Sequence, residues 1–325
     1  MKLFQYTFKA MGGTNVVALY SRSVTEARLG FEIVEKEVRR IEHKYSRYLK
    51  CGIVYEINAA AGESVVKVDD ETADLLDFAD SCFHLSEGLF DITSGVLRRA
   101  WDFNLKRVPT TAQLEQVLPL IGWEKVSWKY PRIRLLVKGM EIDFGGFGKE
   151  YAVDRAVVLL RKAGMQHGFV NLNGDIAAVG PRPDGSPWIV GVKHPRREGS
   201  VIARAALFRG AIATSGDYER FMTVNGRRYC HILNPFNGWP VSDLQSVTVY
   251  SPSCLAAGSM ATIAMLQGRQ AAFEFLGKHG QTFLIVDSSG EVSLSGDLFS
   301  SGSIETSSGL YDSYRSLETG GAYVP

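Results

Sequence analysis

Hydrophobic positions recur along this chain in two periods, and their alternation sets the expected fold class. Residues 3–20 alternate and then run apolar from Val16 to Tyr20 across Met11-Gly12-Gly13-Thr14, which predicts a hairpin. Over residues 25–49, Ala27, Phe31, Val34, Val38 and Ile41 fall at helical spacing, with Glu and Arg on the other face. That is a surface helix ending near residues 45–48. A second helix is predicted over 71–87, with Leu75, Leu76, Phe78, Ala79 and Phe83 inward and Gly88 as its stop. Residues 89–95 read as a loop, followed by a short segment to Trp101. Residues 111–118 read as a short helix and 123–143 as strands.

Past residue 168 the period becomes mostly that of strands. Residues 169–175 end a strand in a turn, and 188–192 and 201–208 are further strands. Residues 211–218, Ala-Ile-Ala-Thr-Ser-Gly-Asp-Tyr, carry a turn rich in hydroxyl and carboxylate groups. Residues 228–235 form a strand that Pro235 terminates, and 245–250 another. Residues 254–266 are small and apolar, a buried helix, and 270–279 are helical too. Residues 282–286 and 291–294 form a hairpin around Ser288-Ser289-Gly290. The sequence after about residue 300 is Ser/Gly-rich and lightly apolar, a loosely attached tail. The expected organisation is one domain over 1–299 and a tail over 300–325, with an α+β fold of mixed sheets flanked by helices.

The stretch on which the chain turns is Ile142-Asp143-Phe144-Gly145-Gly146-Phe147-Gly148-Lys149-Glu150-Tyr151-Ala152-Val153-Asp154. An apolar run from Ile133 to Val137 precedes it and an alanine- and leucine-rich run follows, so it reads as strand, glycine turn, helix. Glycines let the backbone bend freely and let a ligand come close. The helix begins near Lys149, where free N–H groups and the helix dipole favour an anion. A phosphate-bearing ligand fits this arrangement, and so does a simple packing turn. The spacing matches neither the dinucleotide fingerprint nor the P-loop.

Composition narrows the field. The chain has 325 residues, 45% hydrophobic and 22% charged, an ordinary globular make-up. A net charge of +1 implies no polyanionic partner, so nucleic acid is not expected. No stretch reaches the apolar length of a membrane span, and residues 1–8 show neither an apolar leader core nor a cleavage site. Cys51, Cys82, Cys230 and Cys254 show no metal-type spacing and are read as free thiols of a cytoplasmic protein.

Polar turn residues collect at separate strand ends: Asp91, Asp143, Asp175, Ser215, Asp217, His231 and Asn234. With them the chain resembles the ApbE family, the FAD:protein FMN transferases. The resemblance runs in order over most of residues 10–268. Met11-Gly12-Gly13-Thr14 is similar to the family's Met-Gly-Thr opening, and Ser46-Arg47-Tyr48 with Ile57-Asn58 to its Ser-x-Tyr…Leu-Asn segment. Gly88-Leu89-Phe90-Asp91-Ile92-Thr93-Ser94-Gly95 resembles Gly-x-Phe-Asp-Pro-Thr-Val-Gly. The glycine turn resembles Asp-x-Gly-Gly-x-x-Lys-Gly-Tyr-Ala-x-Asp. Residues 214–218 and 231–240 resemble Thr-Ser-Gly-x-Tyr and His-Ile-x-Asp-Pro-x-Thr-Gly-x-Pro.

The resemblance implies that FMN moves from FAD to a threonine or serine hydroxyl of a target flavoprotein, with release of AMP. FAD would be the substrate and Mg²⁺ the cofactor. Met11, Tyr48, Leu89, Phe90, Asp91, Asp143, Lys149 and Ile232 would line the FAD site. The carbonyl of Gly146 and the side chain of Thr262 would hold Mg²⁺. His231 is the candidate base for the acceptor hydroxyl. Each has a plainer reading: Asp91 as a turn cap, Thr262 bonded to its own helix, Met11 and Phe90 as core.

The chain departs from the family pattern at a few positions. Gly258 stands where the metal-binding helix, Ala-Asp-x-x-x-Thr, carries its carboxylate, and Glu150 replaces a glycine after Lys149. Asn173 and Asn234 replace a glycine and an aspartate. Asp175, Asp217 or the FAD phosphates are candidates to compensate for Gly258, and Gly258→Asp is expected to strengthen Mg²⁺ binding. Two other functions stay open: an FAD-binding homologue without transferase activity, and a Mg²⁺-dependent FAD pyrophosphatase.

Overall fold

The structure, a computed structural model, describes residues 1–301. In chain order it begins with β1 (Lys2–Ala10), β2 (Gly13–Ser21), α1 (Val24–Tyr45), α2 (Ile53–Ala59), β3 (Val66–Lys67) and α3 (Asp70–Leu85). Next come α4 (Thr111–Val117), β4 (Val126–Lys129), β5 (Arg132–Leu135), α5 (Gly148–Lys162), β6 (Gly168–Leu172), β7 (Asp175–Gly180), β8 (Trp188–Lys193) and β9 (Val201–Leu207). The rest is β10 (Ala211–Gly216), β11 (Phe221–Val224), β12 (Arg227–Cys230), β13 (Leu244–Ser251), α6 (Cys254–Gln267), α7 (Arg269–Lys278), β14 (Thr282–Asp287), β15 (Val292–Ser295) and β16 (Phe299–Ser301).

The backbone of the fold is an eight-stranded sheet in the order β1-β2-β6-β7-β10-β13-β14-β15. Its pairings are antiparallel throughout. Strands β6 and β13 are buried almost end to end, which explains their continuous apolar character. One face of the sheet packs on α1, α5 and α6. There α1 turns Ala27, Val34, Val38 and Ile41 inward and α6 buries nearly its whole circumference. The other face packs on the small sheet β16-β9-β8, around Phe169, Trp188, Val190 and Leu207. A third cluster, centred on Trp101, joins α4 to the β11–β12 hairpin.

Several elements differ from the sequence reading. Residues 92–99, expected as loop and short segment, form a 3-10 helix capped by Asp91. Over 123–143 only β4 and β5 are strands; residues 136–143 form an irregular passage into the glycine turn. The polar stretch at 211–216 is β10, a strand inside the sheet rather than a turn. Its hydroxyls pair inside the protein, Thr214 Oγ1 with Thr248 Oγ1 at 2.9 Å, so they need no water. The strand expected over 228–235 stops at Cys230, and β11 had no sequence counterpart. The proposed tail from residue 302 lies outside the described residues; Ser300 and Ser301 pair with β9.

Candidate functional site

A cleft of about 2040 Å³ opens where the loops at one end of the large sheet meet α5, α6 and the β11–β12 hairpin. The residues expected to line the FAD site, hold the metal or act as base all line it: Met11, Tyr48, Leu89, Phe90, Asp91, Asp143, Gly146, Lys149, His231, Ile232 and Thr262. Asp175 and Asp217, candidates to compensate for Gly258, do not; they are paired with Lys149 and Arg196.

The rim is set by hydrogen bonds. Met11 and Gly12 take positive φ between paired residues Ala10 and Gly13, the geometry of a tight hairpin turn, and the Met11 N–H donates to Glu42 Oε1 of α1. Past the end of α1, Arg47 donates to the Gly95 carbonyl at 3.0 Å and pairs with Asp143 Oδ2 at 2.9 Å. Its guanidinium also lies 5.0 Å from the ring centre of Tyr48, which is 68% exposed. An open aromatic face with its edge anchored suits stacking against a flat ring.

Asp91 is buried, with both oxygens taken. Oδ1 accepts from the N–H and hydroxyl of Thr93, both at 2.7 Å, and Oδ2 from the Trp123 N–H at 3.0 Å. Burial nevertheless raises its pKa. Its neighbour Phe90 is buried against Phe147 and lies over Gly146, where an added Cβ would stand 3.2 Å from the Phe90 ring. Glycine at 146 therefore lets the turn pass close beneath the ring.

Helix α5 starts at Gly148 with no side-chain cap; the Gly148 N–H donates to the Phe144 carbonyl at 2.6 Å, while the N–H groups of Lys149 and Glu150 have no acceptor in a preceding helical turn. Lys149 Nζ stands 2.5 Å from Asp175 Oδ2. Burial disfavours the ammonium, but the charges of Asp175 and Glu150 outweigh it and hold the lysine pKa above its usual range. Asp175 Oδ1 accepts from the Thr214 N–H at 3.2 Å, tying the pair to β10.

His231 leaves the β11–β12 hairpin with a defined tautomer. Its backbone N–H and its ring Nδ1 both reach the carbonyl of Arg220, at 3.0 and 3.1 Å. A carbonyl only accepts, so Nδ1 carries the hydrogen and Nε2 the lone pair. The ring is solvent-reachable yet walled by protein; that burial, with the charges of Arg220 and Lys149, lowers its pKa. The loop that follows is pinned by Trp101, whose indole N–H donates to Gly238 O at 2.7 Å. Asn234 caps it by accepting from the Phe236 N–H at 2.9 Å.

A sequence model of the ApbE family matches residues 11–286. The chain belongs to the ApbE family. It is 28% identical over 265 residues to the FAD:protein FMN transferase of Klebsiella pneumoniae, covering 78% of this chain and 79% of that protein. Against the FAD:protein FMN transferase of Haemophilus influenzae it is 26% identical over 299 residues, 88% of this chain and 86% of that one. Its fold is that of ApbE crystal structures. The ApbE protein of Thermotoga maritima superposes with a TM-score of 0.85 at 32% identity, over 90% of this chain and 97% of its own. The apo flavinyl transferase ApbE of Pseudomonas stutzeri gives 0.79 at 27% identity, over 93% and 95%.

ApbE family membership raises the question of a divalent metal. Among the described residues no group of three His, Cys, Asp or Glu side chains forms a self-sufficient cage. Oxygen donors of the kind Mg²⁺ takes do line the cleft: the Thr262 hydroxyl, 2.6 Å from Ser215 Oγ, the backbone of Gly146, and Glu150. Glu150 is 7% exposed, and its Oε2 has no hydrogen-bond partner in the protein. The residues present therefore fit a hard cation that takes its remaining ligands from substrate oxygens and water.

Sequence reasoning passed over Arg47 as a member of the site, although it sits inside a quoted motif. It also left Ser215 without its partnership to Thr262, since the two meet only through the fold. Among the described residues no helix is long and apolar enough to cross a membrane.

Proposed function

We propose that this chain is an FAD:protein FMN transferase that moves FMN from FAD to a serine or threonine hydroxyl of a target flavoprotein and releases AMP. The observation that carries the reading is His231: an imidazole with Nδ1 locked by the Arg220 carbonyl and Nε2 left basic, in the same cleft as Lys149 and the start of α5.

The flavin ring lies against the rim formed by Met11, Tyr48 and Leu89, and Ile232 and Phe90 supply apolar walls. The diphosphate sits at Lys149 and the first-turn N–H groups of α5, where the helix dipole favours anions. Asp143, already paired with Arg47, positions the glycine turn, and Asp91 holds the loop that carries Phe90. His231 Nε2 takes the proton of the acceptor hydroxyl as its oxygen bonds to the FMN phosphorus. The bond from that phosphorus to the bridging oxygen breaks, and AMP departs with the electron pair. Gly146 and Thr262 would help hold Mg²⁺, which when bound neutralises charge on the diphosphate. Four cysteines free of disulfides suit a reducing compartment such as the cytoplasm.

The test is to mix the purified protein with FAD, Mg²⁺ and an acceptor peptide bearing serine or threonine, and to follow the peptide mass. Attached FMN with stoichiometric AMP supports the reading. Free FMN and AMP with an unmodified peptide would instead make the protein an FAD pyrophosphatase.

A further inference from the structure

We propose that in this chain Glu150, reaching across from α5, supplies the anionic ligand for a divalent cation at the Thr262 end of the cleft, in the space that Gly258 leaves open on α6. The inference rests on the transferase reading for its setting but not for its evidence. A Cβ added at Gly258 would stand 2.5 Å from Glu150 Cγ, 2.8 Å from Oε1 and 3.0 Å from Cδ. The carboxyl of Glu150 thus fills the volume that any side chain at 258 would need, and a glycine there is what admits it. The two departures from the family pattern meet in space as one exchange: a carboxylate lost from one helix and gained from the other.

The register that brings them together is built in. Asp154, one turn after Glu150 on the same face of α5, accepts from the N–H groups of Cys254 and Leu255 at 2.8 and 2.9 Å and so caps the start of α6. One turn into α6, Gly258 then faces Glu150, and one turn further Thr262 presents its hydroxyl. A carboxylate in this position is costly. It is almost fully buried, Oε2 finds no hydrogen-bond donor in the protein, and burial with the neighbouring Asp175 carboxyl raises its pKa. Lys149, the nearest cation, is committed to Asp175 at 2.5 Å. Such a group is relieved by a proton or by a cation, and a divalent ion at the Thr262 end of the cleft would displace the proton. Thr262 and Ser215 hydroxyls at 2.6 Å from each other add neutral oxygens, the donor set a hard divalent cation takes. This also changes the expectation for Gly258→Asp: with Glu150 in place the new side chain collides with it and brings two like charges together.

The test is Mn²⁺ titrated into the protein without flavin, with the free ion read by electron paramagnetic resonance, alongside melting of the metal-free forms. Glu150→Gln should weaken Mn²⁺ binding by at least about tenfold, with no loss of metal-free melting temperature. Gly258→Asp alone should not tighten binding. Glu150→Gly combined with Gly258→Asp, which moves the carboxylate back to α6, should restore affinity to within a few-fold of wild type. An unchanged Mn²⁺ affinity in folded Glu150→Gln, no restoration in the folded double variant, or a wild type that binds no Mn²⁺ at millimolar concentration overturns the proposal. Peptide labelling run in parallel separates the two ideas. Labelling by wild type with Glu150-independent Mn²⁺ binding ends this inference alone. Glu150-dependent binding without labelling ends the transferase reading alone.

Discussion

The imidazole of His231 is tied to the backbone carbonyl of Arg220 through Nδ1, at 3.1 Å, which leaves Nε2 as its only basic atom. His231→Ala should therefore keep FAD affinity near wild type and lower FMN transfer by about 10²–10⁴-fold, the usual range for a positioned base. Flavin fluorescence titration and peptide mass measurement read the two quantities. Covalent labelling at the wild-type rate would remove His231 from the mechanism.

The same residue sets a pH dependence. Burial, then the charges of Arg220 and Lys149, lowers its pKa below the ordinary 6.5, and the base form is the neutral one. Transfer should hold steady from neutral pH downward and fall only below about 6.5, with a slope of one proton. A rate profile with an acid midpoint above 6.5 contradicts the assignment.

Lys149 and Asp175 make a third prediction. Lys149→Met strands a carboxylate that is 2% exposed, so stability should drop by about 3 kcal/mol, the lower end for breaking a buried pair, and FAD affinity should weaken. Adding Asp175→Asn should recover most of the stability, because the orphaned charge is gone, but not the FAD affinity. Urea unfolding and flavin titration check each half. Recovery of both would mean that Lys149 never meets the diphosphate.

Asp91 makes a fourth. Its oxygens accept from the Thr93 N–H and hydroxyl and from the Trp123 N–H, all in a buried setting. Asp91→Ala should cost about 3 kcal/mol as these donors lose their acceptor. FAD binding should fall along with it, since Phe90 and the 3-10 helix move with that loop. Full stability with lost FAD affinity would make Asp91 a direct ligand contact instead.

Much of the fold could be read from the chain, and the misreadings share a cause. The helices at 24–45, 70–85 and 148–162 carry long apolar stripes, that at 254–267 is apolar all round, and the hairpin at 2–21 announces itself by alternation. Strand β10 was hidden because Thr214 and Ser215 look like solvent-facing residues; their hydroxyls are matched by Thr248 and Thr262, which are distant in sequence. The helical turn at 92–99 was hidden because its cap, Asp91, reads equally well as an isolated loop residue. Motif order, which needs no knowledge of packing, picked out residues that the fold brings into one cleft. What the sequence could not reveal was the meeting of Glu150 with Gly258: each looks like a lone deviation until the two helices are laid side by side.

Asp154 fastens the first turn of α6 to α5 by two N–H groups. The pair of helices consequently behaves as a single brace, so warming should not release one wall of the cleft before the other. Ligand capture and global unfolding should fade together on a temperature ramp, and hydrogen exchange at Cys254 and Leu255 should keep pace with that of the innermost strands.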